Sequence, residues 1–127
     1  MEKEFVPYEE ALELKELGFD EPCFGFYTYE GKFSNELSFN EYKNTALKTS
    51  APLYQQAFRW FRDKHMLKGE VTHADSSGSS KFTIWKWNFD NNIGKWERIP
   101  NIGVFNKWEE AELACLKKLI EIVKEKK

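Results

Sequence analysis

The chain has 127 residues, 41% apolar and 31% charged, with 19 Lys and Arg against 21 Asp and Glu. This length suits one domain that buries about two thirds of its unfolded surface without a metal or disulfide staple. The composition excludes collagen-like, mucin-like and wholly disordered chains, and the net charge of −2 argues against a duplex nucleic-acid binder, which needs a basic surplus to neutralise phosphates. No apolar run approaches the roughly 20 residues of a membrane span. Met1 to Phe5 lacks the basic-then-apolar opening of a signal peptide, and Cys23 and Cys115 are too few and too far apart for a disulfide framework. A cytoplasmic location is the expectation.

A first helix is predicted from about Pro7 to Leu17. Glu9, Glu10 and Glu13 favour the positive end of its dipole, and Tyr8, Ala11, Leu12, Leu14 and Leu17 form its apolar stripe. Gly18 supplies a left-handed stop, with Phe19 folding back onto Leu14. Cys23 to Tyr29 reads as a strand, with Phe24, Phe26 and Thr28 on a core face and Gly25, Tyr27 and Tyr29 on a half-wet face. Glu30-Gly31-Lys32 is a hairpin turn into a weak strand, Phe33 to Phe39. Asn40 to Ser50 carries no clear pattern. A second helix is predicted from about Pro52 to Met66, with Leu53, Ala57, Trp60 and Phe61 on its apolar side and Gln55, Arg59, Arg62 and Asp63 on its polar side.

Glu70 to Asp75 and Lys81 to Phe89 follow as strands joined by a serine-rich tip at residues 76–80. Lys81 to Phe89 is the best strand by composition. Its alternation puts Thr83, Trp85, Trp87 and Phe89 on one face and Phe82, Ile84, Lys86 and Asn88 on the other. A turn at residues 90–94 leads to a return strand, Lys95 to Ile99, and Ile102 to Phe105 adds a short edge. The last helix is predicted from about Lys107 to Lys124, opened by an Asn106/Glu109 capping box. Its apolar rows are Trp108, Ala111, Cys115, Leu119 and Ile122, widened by Leu116, Ile120 and Val123. The expected fold is a single α+β domain over residues 1–127: a small antiparallel sheet of about four to five strands packed against three helices.

Three stretches resemble a known family when taken together. They are Phe5-Val6-Pro7-Tyr8 with Leu14 to Cys23, then Leu53 to Arg62, then Glu109 to Ile122. They resemble a family of small uncharacterised proteins encoded by bacteriophages, prophages and mobile elements of Bacteroidota, and they cover about a third of the chain. The resemblance implies a mobile-element accessory protein. It brings no assigned activity or catalytic residue. Relatives often carry glycine near position 66, closing the second helix, where this chain has Met66.

Candidate chemistry is sparse. His65, His73, Cys23 and Cys115 share no metal-ligand spacing, and both cysteines read as small core residues. Asp90-Asn91-Asn92-Ile93-Gly94 departs from a calcium loop in its glycine position and in the residue, Asn101, that stands where a bidentate Glu is needed. His73 and Asp75 point the same way on a strand, but no Ser or Cys is placed as a nucleophile, and a solvated hairpin end explains them. No Gly-rich phosphate loop is present. Arg59 and Arg62, two of only three arginines, share a helix at i,i+3 and suit a phosphate or carboxylate. An exposed helix face, with the arginines paired to Asp63 or a neighbouring helix, is the favoured explanation.

The salient number is 17% aromatic residues: 11 Phe, 5 Trp and 5 Tyr. Rings build cores and also anchor interfaces. Rings on both faces of one strand leave a surplus if helices cover only one face, and such a surplus marks a partner or self-association. The expected function is therefore a non-enzymatic binding protein without a cofactor or metal, engaging a host protein through Trp85, Trp87, Phe89, Tyr27 and Tyr29, with Arg59 and Arg62 as polar anchors. The alternative is a small-molecule or nucleotide binder that sequesters a signalling ligand, with an aromatic pocket and the same arginines on phosphate.

Overall fold

The computed structural model describes residues 4–34, 48–73, 79–90, 93–99 and 104–125. Residues Asn35 to Phe39 of the expected second strand, Asp75 with residues 76–78 of the serine-rich tip, the Asn91-Asn92 turn and residues 100–103 lie outside this set. Three helices and seven strands are seen, in the order α1 (Tyr8–Glu16), β1 (Gly25–Thr28), β2 (Phe33–Ser34), β3 (Lys48–Ala51), α2 (Tyr54–His65), β4 (Leu67–His73), β5 (Ser80–Asp90), β6 (Ile93–Ile99), β7 (Val104–Phe105) and α3 (Trp108–Glu125). All pairing is antiparallel, and the fold is α+β as expected. The strands divide between two sheets, where the sequence suggested one: β2-β1-β3, and β4-β5-β6 with β7 on β5. The chain forms two compact units, Met1–Ala57 and Phe58–Lys127, with the division inside α2.

In the first unit, α1 ends as its sequence dictates. Gly18 takes φ 102°, the Phe19 amide donates to Leu14 O at 2.9 Å and the Gly18 amide donates to Lys15 O at 3.1 Å. This pair of bonds is a Schellman stop. Pro7, the expected first helical residue, instead precedes the helix as its N-cap, so α1 starts one residue later, at Tyr8. β1 and β2 join through four residues, Tyr29 to Lys32, with Gly31 at φ 86° and its amide donating to Thr28 O at 2.8 Å. That is a turn closed by a left-handed glycine. β3, in the stretch without clear pattern, completes the sheet: Thr49, Ser50 and Ala51 are all buried. Small side chains with no aliphatic alternation give no strand signal, yet they allow close packing of α1 against β3.

The β1 faces differ from expectation. Tyr27, assigned to the half-wet face, is only 4% exposed. Its hydroxyl donates to Val6 O at 2.7 Å, and its ring touches Tyr8 and Phe33. A buried tyrosine is stable because that hydrogen bond satisfies its one polar atom. Phe24, assigned to the core face, is exposed because it lies before the strand begins.

In the second unit, α2 runs to His65 and Met66 adopts φ 56°. This is the left-handed stop that a glycine would take without strain. The chain then enters β4 directly, and the Trp87 amide donates to Met66 O at 3.1 Å. β4 and β5 pair from Leu67↔Lys86 to His73↔Ser80, and β5 and β6 from Ile84↔Ile99 to Asp90↔Ile93. α3 packs on β4, β5 and β7. Its buried residues are Ala111, Cys115, Leu116, Leu119, Ile120 and Val123, the predicted stripe less Trp108 and Ile122. Helix and sheet approach closely at Gly69: a Cβ there would lie 2.8 Å from Cys115 Sγ and 3.0 Å from Leu119 Cδ1. The first α3 bond runs from the Ala111 amide to Lys107 O at 3.2 Å, so Lys107 takes the N-cap place expected of Asn106.

Candidate binding face

The register divides the β4-β5-β6 sheet into two faces with different chemistry, because successive side chains alternate. One face carries Leu67, Gly69 and Val71 of β4 and Ser80, Phe82 and Ile84 of β5. Leu67, Ser80, Phe82 and Ile84 are buried there, and this is the side of α3. The opposite face carries Lys68, Glu70 and Thr72 of β4, Lys81, Thr83, Trp85, Trp87 and Phe89 of β5, Trp96 and Arg98 of β6, and Val104 of β7. None of these residues is buried. Phe89 is 65% exposed and Val104 64%.

The rings on this open face are held by specific contacts. Trp87 and Trp96 sit directly opposite each other in register, edge to face with centroids 5.2 Å apart. Trp87 lies over Gly94, where any Cβ would overlap its indole. The missing side chain is what lets the ring lie on the sheet. Lys68 Nζ stands 5.5 Å from the Trp85 ring centroid and 5.2 Å from that of Trp96, bridging two rings by cation–π attraction. The same ammonium pairs with Glu70 Oε1 at 3.4 Å. Trp85 faces Lys68 on one neighbouring strand and Arg98 on the other. Its indole Nε1 is enclosed and has no hydrogen-bond partner among the described residues.

The seven expected binding residues therefore separate. Trp85, Trp87 and Phe89 share the open face. Tyr27 belongs to the core of the first unit, which removes it from a binding surface. Tyr29 is 71% exposed on the hairpin loop of that unit. Arg59 and Arg62 are exposed on α2, and Arg62 Nε donates to its neighbour Asp63 Oδ1 at 3.2 Å. Three residues of the open face are additional: Lys68, Trp96 and Arg98. Trp96 and Arg98 join through the β5–β6 register, which sets them against Trp87 and Trp85, and Lys68 joins through the β4–β5 register, which sets it against Trp85.

Elsewhere, His73 is exposed with its ring 5.2 Å from that of Trp108, and its expected companion Asp75 lies outside the described residues. No group of three or more His, Cys, Asp or Glu among the described residues could hold a metal ion. Cys23 and Cys115 are both buried free thiols. Burial, reinforced by the negative charge of Glu112, pushes the Cys115 thiol up to about 12, so it stays protonated and unreactive near neutrality. No described helix is long and apolar enough to cross a membrane. No protein-family model, curated protein or solved structure matches the chain.

Proposed function

We propose that the chain is a non-enzymatic binding protein, an accessory factor of a mobile element, that grips a protein of its host through the open face of the β4-β5-β6 sheet. The observation that carries this reading is the grouping of Trp85, Trp87, Trp96 and Phe89 on the face opposite the one that packs on α3, where none of the four is buried. Tryptophan and arginine are the residue types that dominate binding energy at interfaces, and Arg98 stands in the same patch. Rings seated on a sheet lose little further entropy when a partner settles on them.

The nucleotide-binding alternative requires Arg59 and Arg62 beside an aromatic pocket. Arg62 is engaged by Asp63 on its own helix, and the arginine that shares a face with the indoles is Arg98, so protein binding is the preferred reading. Site-specific photo-crosslinking tests it. A benzophenone side chain at Phe89 should capture one discrete host protein, and the same probe at Lys117, exposed on α3, should not. Equal labelling from the two sites would refute the proposal.

A further inference from the structure

The open face is rich in hydrogen-bond donors and poor in acceptors. Among the described residues, Lys68, Lys81 and Arg98 stand there against a single carboxylate, Glu70, in a chain whose net charge is −2. Glu70 is occupied by Lys68 at 3.4 Å. Neither Lys81 nor Arg98 forms an ion pair among the described residues. Lys68 and Arg98 flank Trp85 from the two neighbouring strands, about 10 Å apart at two strand spacings. Exposed Phe89 and Val104 lie on the same face.

Resting on the partner-binding reading above, we infer that the segment this face takes is acidic: a stretch of protein that interleaves carboxylates with apolar side chains. A carboxylate matches the Arg98 fork in bidentate geometry, and the apolar groups settle on Trp87, Trp96 and Phe89. Complementary charge would also speed the encounter and reject basic partners. A single-stranded nucleic acid is the competing anion, and it binds by stacking bases on ring faces. Here the Trp85 and Trp96 faces already carry the Lys68 ammonium, and Trp87 is seated on Gly94 with its neighbour turned edge to face. Charged heads over the rings favour carboxylates over stacked bases.

Selection on the full chain tests this. Immobilised protein is challenged with a random peptide-display library and, in parallel, with a random single-stranded DNA pool. The expected result is a peptide pool enriched in Asp and Glu spaced among apolar residues. That acidic enrichment should fall at least tenfold on a Lys81→Glu/Arg98→Glu bait whose circular dichroism matches the parent. Recovery of neutral or basic peptides overturns the inference, as does acidic enrichment that survives the charge reversal. Stronger retention of the DNA pool overturns it in favour of nucleic acid. Apolar peptides held equally by both baits but lost on Trp87→Ala would remove the charge inference and leave partner binding standing. No recovery above the Trp87→Ala bait would strike both.

Discussion

The two faces of β5 are made by one stretch of chain and do opposite work. On the α3 side, Phe82 and Ile84 are buried with Leu67 of β4, and fully burying such side chains contributes roughly 1.5–3 kcal/mol each. On the other side, Trp85 and Trp87 keep part of their surface in water, beside Lys68 and Arg98. Large rings do not by themselves mark the core of this unit. The core is where the helix is, and its members are mostly aliphatic. On the proposed reading, stability and recognition fall to alternate residues of the same strand, and either can be altered with limited cost to the other.

The strongest test of that division is a pair of truncations. Ile84→Ala should lower unfolding free energy by about 2–5 kcal/mol in urea titrations, because it opens a cavity under α3. Trp87→Ala should cost less, about 1–2 kcal/mol, since the ring is not fully buried, while abolishing capture of the partner. A larger loss of stability from Trp87→Ala than from Ile84→Ala would reverse the assignment of faces. Next, Gly69→Ala should destabilise by about 1–3 kcal/mol, as its methyl meets Cys115 and Leu119 at overpacked distances. An unchanged denaturation midpoint would mean that α3 is not seated so closely.

The covered face also has an alkaline signature. The Cys115 thiol is raised from 9.0 to about 12 in the folded chain. Its contribution to stability is complete below pH 9.0. As pH rises from there toward about 12, the unfolded thiol gives up its proton and the folded one keeps it, so the contribution is lost. Native protein at pH 8 should resist a thiol reagent such as dithionitrobenzoate at Cys115, and a Cys115→Ser variant should show a flatter fall in stability above pH 9.0. Smaller still, Met66→Gly should raise stability by about 1 kcal/mol by removing the side chain from a left-handed residue. The least effect belongs to Lys81→Glu, which should move stability by less than about 0.5 kcal/mol and show itself only in binding.

Much of this organisation was legible in the residues themselves. The Gly18-Phe19 stop, the Gly31 turn, the alternation of β5 and most of the buried stripe of α3, all but Trp108 and Ile122, each follow from a local rule. β3 was not legible, because Lys48-Thr49-Ser50-Ala51 owes its place to pairing with β1 and not to its own propensity. The inward turn of Tyr27 depends on a carbonyl twenty-one residues away at Val6, which no local pattern encodes. The separation into two sheets is a property of long-range pairing in the same way. For the candidate site, Trp85, Trp87 and Phe89 could be read from one strand. Lys68, Trp96 and Arg98 join them only once register is known, and register depends on which residues lie opposite across two different neighbours.

The strained backbone at Met66 governs more than the end of a helix. Because β4 starts immediately after it, this residue sets the parity of the whole strand. One amino acid inserted between Met66 and Leu67 would rotate β4 by half a pleat. Lys68, Glu70 and Thr72 would then be driven beneath α3, while Leu67 and Val71 emerged among the indoles. A single-codon change at the junction would thus turn this sheet inside out without touching any residue that makes the core or the binding patch.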